Sequence, residues 1–222
     1  RVSIGTITAS TTVDLDTIDR SAPTVSVSAS IVSTSSITVK GTASKNCNRW
    51  DYSLDGGSSW TNFSTSNGTS ASKTLTGLTS KNYSSIKVRA RRTDNEVWGT
   101  SGSASADITA PNISFSSSNI TANSVYINAK SSVTADIWQY SIDNGSSWTQ
   151  FSTTAGTSAV RTITGLTPNT TYKIKVKARK QSNGLYGESA VSSVKTLGGT
   201  VLNSVSTLTV DASSPSFNIN WT

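Results

Sequence analysis

Residues 50–79 read WDYSLDGGSSWTNFSTSNGTSASKTLTGLT, and residues 138–167 read WQYSIDNGSSWTQFSTTAGTSAVRTITGLT. The two stretches align without a gap at an offset of 88 residues, and 21 of the 30 positions are identical. The same offset aligns Pro23 with Pro111 and the segment 86–91 with 174–179. A period of this length is too long for a solenoid and suits one small β-domain per repeat.

This period sets the domain boundaries. We place repeat 1 at 22–108 and repeat 2 at 109–197. Residues 1–21 are expected to be the end of a preceding domain and a linker, and residues 198–222 the start of a further, incomplete β domain. The chain begins at Arg1 without an initiator Met or a signal peptide, so we expect it to be a fragment of a longer protein.

Each repeat alternates apolar and polar residues with the period of a β-strand and shows no helical stripe. In repeat 2, three segments do so: 125–129, 138–142 and 172–178. With the weaker strands, the count is about seven short strands in roughly 90 residues. This predicts an all-β fold of tandem seven-stranded Ig-like β-sandwiches, with Trp50 and Trp138 in the cores.

The composition excludes several chemistries. His is absent, so there is no Ser-His or Cys-His catalytic pair and no His-liganded zinc. The single Cys47 cannot form an internal disulfide or a thiolate metal cluster. We therefore predict a protein that is not an enzyme and that has no catalytic residues, no cofactor and no metal site. No run of about 18 apolar residues exists, so no membrane span is predicted.

The hairpin segments carry a motif. Residues 53–60 and 141–148 both match S-x-D-x-G-x-S/T-W, and Asp55-Gly56 and Asn144-Gly145 predict tight turns because such residues can adopt positive φ. The motif resembles the Asp-box of sialidase propellers, where it is a structural hairpin remote from catalysis. A propeller needs four or more blades at shorter spacing, so a sialidase is not favoured. We assign structural roles to these side chains: Asp55, Trp60, Asp143 and Trp148.

In these roles, the carboxylate accepts backbone N–H bonds across the turn and the Trp lies against the hairpin.

Residues 166–178 read LTPNTTYKIKVKA. They are similar to the L-x-P-x-T-x-Y-x-I-x-V-x-A signature of fibronectin type III domains, and the resemblance covers both repeats. It implies that Tyr172 ties its strand to the preceding loop. Repeat 1 lacks the Pro, and its Tyr83 lies one place early; a one-residue shift turns a strand side chain to the other face of the sheet.

Two basic strands stand out. Lys87, Arg89 and Arg91 alternate with apolar residues in repeat 1, and a set that we call the lysine ladder does so in repeat 2: Lys173, Lys175, Lys177 and Arg179. Period 2 places each set on one outer sheet face. Asp51 should neutralise part of the first set from the neighbouring strand, whereas repeat 2 has Gln139 there.

The basic rows have two interpretations. They bind an anionic cell-wall polymer, a nucleic acid or a neighbouring subunit, or they keep the strand surface soluble. Neither strand carries the aromatic platform that single-strand binders use, so no nucleic-acid partner is predicted. Trp98 and Tyr186, each before a Gly, can stack on a sugar or cover the end of the core.

The Y-S-x-D-x-G-S-S-W element in a Ser/Thr-rich bead, with the linker 16–23, is similar to tail-associated minor structural and fibre proteins of long-tailed bacteriophages. This resemblance implies a structural spacer and adhesion module of a virion tail or tail fibre that positions or contributes to host-surface binding. Its implied partners are other virion tail proteins and an anionic host cell-wall polymer or glycan, with homo-oligomerisation left open. The alternative is an extracellular bacterial accessory module, secreted or on the cell surface, such as an adhesin or a fibronectin III repeat of a carbohydrate-active enzyme.

Overall fold

The computed structural model describes residues 19–199, and all the regular structure in this range is β-strand. It contains no helix of the length and apolarity needed to cross a membrane. The chain divides into two compact units, one built mainly from each repeat, and each is described by itself. The domain pieces predicted at 1–21 and 198–222 lie almost entirely outside the described residues, and the repeat boundaries stay predictions.

Each repeat contains seven strands within the described range. Those of repeat 1 are β1 (Val25–Ser33), β2 (Ser36–Ser53), β3 (Thr61–Ser64), β4 (Gly68–Leu75), β5 (Asn82–Arg92), β6 (Trp98–Thr100) and β7 (Ala104–Asp107). Those of repeat 2 are β8 (Ile113–Ser118), β9 (Ser124–Ser141), β10 (Thr149–Ser152), β11 (Gly156–Thr164), β12 (Thr171–Lys180), β13 (Tyr186–Glu188) and β14 (Ser192–Lys195).

The long strand β2 contributes to both layers of the sandwich in repeat 1. Its first half pairs antiparallel with β1 and β4, and its second half pairs antiparallel with β3 and β5. Strand β5 in turn pairs with β6 and β7. The all-β prediction of seven-stranded sandwiches is confirmed, and in repeat 2 the corresponding strands pair in the same way around β9 and β12.

One detail of the strand prediction is wrong. The sequence indicated separate strands around Ile37 and Trp50, and around Val125 and Trp138, but each pair forms one continuous strand of 18 residues. The linking residues 44–46 contain neither Gly nor Pro, so nothing interrupts the extended backbone. Between Thr42 and Cys47 the pairing of β2 with β4 shifts register, and the pairing with β5 begins at Cys47.

The core lies between the two layers. Trp50 and Trp138 are fully buried, as predicted. In repeat 1, a Cβ added to Gly41 would lie 2.6 Å from Cγ1 of Val88 and 3.1 Å from the Trp50 ring, so this part of β2 packs directly on the opposite layer. Close-packed interiors of this kind respond to the addition of single methyl groups.

The early position of Tyr83 is compensated by a β-bulge. Tyr83 lies opposite Ala106 and Ile86 opposite Ala104, so the strand contains one extra residue between them. In repeat 2, Tyr172 lies opposite Val194 and no extra residue intervenes before Ile174. A bulge of this kind restores the inward direction of the side chain.

The expectation that Tyr83 turns to the other face is therefore wrong. Its side chain is buried, and its hydroxyl donates to the carbonyl oxygen of Thr79 at 3.1 Å. Tyr172 ties its strand to the preceding loop differently, because its hydroxyl oxygen accepts the backbone N–H of Thr167 at 2.8 Å. Both repeats thus have a tyrosine corner, with opposite directions of the hydrogen bond.

Candidate ligand-binding surface

Each Asp-box hairpin is organised by one carboxylate. Oδ1 of Asp143 accepts the hydroxyl of Ser141 at 2.6 Å and the backbone N–H of Ser147 at 2.9 Å, and Oδ2 accepts the Ser147 hydroxyl at 2.5 Å. Asp55 makes the same three bonds with Ser53 and Ser59. These bonds lower the pKa of Asp143 to about 2, with the Ser141 hydroxyl as the largest cause. Both oxygens are occupied within the hairpin, an arrangement that suits a structural role.

The turn residues of the two hairpins differ from the prediction in one case. Positive φ is found at Asn144 and Gly145 in repeat 2, as expected, but at Gly56 and Gly57 in repeat 1 rather than at Asp55 and Gly56. The connection between β2 and β3 is seven residues long, because Ser53 ends one strand and Thr61 begins the next. The carboxylate bonds hold this longer loop in place of a tight two-residue turn.

The outer face of β5 carries a stacked group that we call the arginine–tryptophan face: Arg49, Trp60, Arg89 and Trp98. The guanidinium carbon of Arg89 lies 4.7 Å from the ring centroid of Trp60 and 4.5 Å from that of Trp98. The guanidinium carbon of Arg49 lies 5.7 Å from the Trp98 centroid. Cation–π attraction therefore holds a layer of side chains over the strands.

A buried carboxylate supports this face from below. Asp51 lies on the strand next to the basic row of β5, as the sequence predicted. Its partner in the strand register is Arg89, and its side chain is 1% exposed. It accepts hydrogen bonds from Nη2 and Nε of Arg89 at 2.8 and 2.9 Å, from Nδ2 of Asn62 at 3.0 Å and from Nε of Arg49 at 3.3 Å. Burial raises the pKa of Asp51, but these bonds outweigh it and lower the pKa below its usual value.

The lysine ladder lies on β12, where its members alternate with the buried Ile174, Val176 and Ala178. Lys173 is exposed. Nζ of Lys175 lies 2.5 Å from Oε2 of Glu188. The ammonium of Lys177 lies 4.3 Å from the ring centroid of Trp148, so the Asp-box Trp of repeat 2 also packs against a strand cation. The ladder is thus an outward row whose charge is offset in part by the Glu188 carboxylate.

The two strand G aromatics differ in setting. Trp98 begins β6 and its ring lies over the guanidinium of Arg89, on the outer side of the sheet and away from the buried Trp50. Tyr186 begins β13 and is 40% exposed. Trp98 thus packs on arginine side chains, and both roles that the sequence offered for these aromatic residues, stacking on a sugar and covering the core, stay predictions.

Sequence reasoning missed part of this surface. The exclusion of a nucleic-acid partner depended on the absence of aromatic residues on the basic strands themselves. Trp60, Trp98 and Trp148 nevertheless reach those strands from neighbouring elements, and the absence of a nucleic-acid partner stays a prediction. The role of Arg49 was not predicted either. The sequence signal that could have identified it is its position two residues before Asp51, which places both side chains on the same strand face.

Arg92, at the end of β5, was also missed. Its side chain is 5% exposed, and it donates hydrogen bonds to the carboxylates of Asp19 and Asp94 and to the carbonyl oxygens of Asp19 and Ser21. A buried cation needs this degree of compensation. These bonds fasten residues 19–21 to repeat 1. Within residues 19–199 there is no group of three or more His, Cys, Asp or Glu side chains placed to hold a metal ion.

No protein-family model and no curated protein matches the chain. Among solved structures it is similar to the FN1–FN3 domains of chicken CNTN1, with 14% identity over 80% of this chain and 67% of that one and a TM-score of 0.41. It is also similar to the central fibronectin III array of RIM-binding protein, with 18% identity over 81% of this chain and 71% of that one and a TM-score of 0.30. The third is the ligand-binding domain of human OSCAR, with 13% identity over 78% of this chain and 98% of that one and a TM-score of 0.32.

Two of these neighbours are named as fibronectin domains and one as a ligand-binding domain, and with TM-scores below 0.5 none of them supports a conclusion about this chain. The strand order of each repeat defines the class, which is tandem fibronectin III-like β-sandwiches.

Proposed function

We propose that the chain is a non-enzymatic structural spacer and adhesion module of a bacteriophage tail or tail fibre, which positions or contributes to host-surface binding. The observation that carries the proposal is the pair of sandwiches with the same strand pairing, each with a cation and an aromatic side chain packed together on the outside of its central strand. A fold of this class presents surfaces to partners and supplies no chemistry of its own. The carboxylates with strongly lowered pKa, such as Asp143, are occupied by structural hydrogen bonds.

The lysine ladder is the adhesive surface in this proposal. Its cations are spaced about 6–7 Å apart along one strand, because alternate residues of a strand share a face. Repeat 2 contains eight basic residues and three acidic ones, so its surface keeps a surplus of cations even though Glu188 pairs with Lys175. Several like charges in a row form a field that salt screens over about 8 Å at physiological ionic strength. Attraction to an anionic wall polymer would therefore depend on salt.

Co-sedimentation with purified bacterial cell wall tests the adhesive role. Changing Lys173, Lys175 and Lys177 together to Ser should leave the fold intact, since the buried residues of β12 are unchanged, and should remove the salt-sensitive part of the binding. The matched control removes three exposed cations elsewhere in repeat 2: Lys130, Arg161 and Lys195. If both triple variants lose binding equally, net charge alone explains the interaction, and the ladder is a solubility device.

Localisation tests the virion assignment separately. Immunogold labelling with antibodies to this chain should decorate the tails of purified virions. Recovery of the chain from the wall or medium of uninfected bacteria, with no labelling of virions, would replace the proposal with the extracellular accessory module.

A further inference from the structure

We propose that repeat 1 binds an anionic saccharide, a sugar ring that carries a carboxylate or a phosphate, at the outer end of the arginine–tryptophan face, with Trp98 as the stacking platform and Arg49 and Arg91 as the anion-binding groups. This site lies on β2, β5 and β6 of repeat 1, whereas the lysine ladder belongs to repeat 2. The inference rests on the proposed adhesive function only for the choice of a cell-surface ligand.

Two guanidinium groups beside Trp98 have donors to spare. The side chain of Arg49 is 46% exposed, and among the described residues only its Nε donates a hydrogen bond, to Asp51 at 3.3 Å. Arg91 donates from Nε to Oδ1 of Asn48 at 3.3 Å, and its Nη1 lies 3.4 Å from Oε1 of Glu96. The planar guanidinium fork matches the oxygens of a carboxylate or a phosphate. Arg89, by contrast, donates hydrogen bonds from Nε and Nη2 to the buried Asp51 and supports the stacked side chains.

The Trp98 ring supplies the second half of a sugar site. One of its neighbours is the guanidinium of Arg89 at 4.5 Å, which fixes the ring over the sheet. The negative face of an aromatic ring attracts positively polarised groups, and the C–H bonds on one face of a pyranose are such groups. A saccharide whose ring packs on Trp98 would bring its acidic substituent within reach of the flanking guanidinium groups.

The charge of the site favours an anion. The site contains three guanidinium groups and two carboxylates; the guanidinium groups are those of Arg49, Arg89 and Arg91. One of the carboxylates, Asp51, is buried and forms an ion pair with Arg89. The other, Glu96, is 71% exposed and lies beside Arg91 with φ at 60°. A neutral ligand would not use the free donors, whereas an anionic one satisfies them.

Repeat 2 offers the natural substitutions for testing this site. At the offset of 88 residues it has Ile137 for Arg49, Tyr186 for Trp98 and Gly184 for Glu96. Gly184 has φ at 74°, so a glycine is compatible with the backbone that Glu96 adopts. The Arg49→Ile and Glu96→Gly variants therefore carry residues that the same fold already accommodates.

The experiment measures binding of the full chain to polygalacturonate, which carries carboxylates, to glycerol-phosphate teichoic acid, and to neutral pullulan. We expect binding to one or both acidic polymers and not to pullulan. Arg49→Ile should weaken it about tenfold, the loss of one charge-assisted contact. Glu96→Gly should strengthen it about threefold by removing a competing carboxylate. Lys40→Ser, which removes an exposed cation from the other layer, is the matched control and should leave affinity within about twofold.

Four results would overturn the inference. They are equal losses in Arg49→Ile and Lys40→Ser, equal binding of pullulan, no binding of either acidic polymer, and tighter binding of a single-stranded oligonucleotide that also depends on Arg49. Far-ultraviolet circular dichroism and melting of each variant establish that the fold is retained. If the chain sediments with cell wall through the lysine ladder while Arg49→Ile has no effect, the proposed function stands and this site alone is rejected. If Arg49 is required for saccharide binding but virions are not labelled, the saccharide site stands and the proposed virion function is rejected.

Discussion

Replacing Asp51 with Gln, the residue that repeat 2 has as Gln139, is expected to weaken strand β5 selectively. In the parent chain the carboxylate receives four hydrogen bonds, three of them from the guanidinium groups of Arg49 and Arg89. An amide cannot accept all of these bonds, and it leaves Arg89 without its counter-ion beneath two tryptophan rings.

The expected magnitude follows from the burial of the two partners. Removing one member of a fully buried ion pair costs about 3–5 kcal/mol, and a fully exposed pair contributes about 1 kcal/mol or less. The Asp51 side chain is 1% exposed and that of Arg89 is 31% exposed. Because water still reaches part of the guanidinium, the cost should lie between these limits, at about 2–3 kcal/mol.

Hydrogen exchange followed by mass spectrometry can measure this cost in the intact chain. A loss of about 2–3 kcal/mol predicts exchange of the slowest β5 amides that is roughly 30- to 150-fold faster. Strand β12 of repeat 2, which pairs with β9 in the same way, is the internal control and should not change. Adding Arg89→Lys, which recreates the Gln139 and Lys177 pair, should cost less than the sum of the single changes. A change in β5 below about threefold, or an equal change in β12, would refute the reasoning.

Two further predictions concern the turns and the strand ends. The pKa of Asp143 is lowered to about 2 from its ordinary value near 3.8, so its stabilisation is fully present above about pH 4 and is lost as pH falls through about 2. The difference in unfolding free energy between the parent and Asp143→Asn should therefore narrow over this window, and a constant difference would contradict the hairpin role. Gly99→Ala places a Cβ 1.8 Å from the carbonyl oxygen of Pro23 and should destabilise repeat 1 by about 3 kcal/mol. Gly102→Ala, with nothing within 4 Å, is the control, and equal melting temperatures for the two variants would argue against this close contact.

The periodicities that the sequence shows directly were sufficient for the fold. The apolar alternation around Trp50 and Val88 and the repeat of the Asp-box identify buried strands and hairpins because these signals are local. The continuous course of β2 and the bulge that turns Tyr83 inward were not predicted. Both depend on how a strand adjusts its pairing to its neighbours, and a one-residue change in the chain can be absorbed by a bulge as readily as it can reverse a face.

The candidate site was harder to predict than the fold, because more of it depends on contacts between different strands. Alternation identified Arg89 and the lysine ladder as outward rows, and pairing of neighbouring strands placed Asp51 beside Arg89. The aromatic layer could not be derived in this way. Trp60 comes from a hairpin loop that is distant from Arg89 in sequence, and the alternation in β5 does not show that the ring of Trp98, on the next strand, lies over Arg89. In repeat 1 a buried Asp51 fixes the central cation, so the proposed ligand would meet the outer guanidinium groups. In repeat 2 Gln139 replaces that carboxylate, and the cations follow one another along β12, with Lys175 paired to Glu188. Two repeats that share one fold therefore present different electrostatic surfaces, which predicts a compact anion site on the first and a diffuse, salt-sensitive contact on the second.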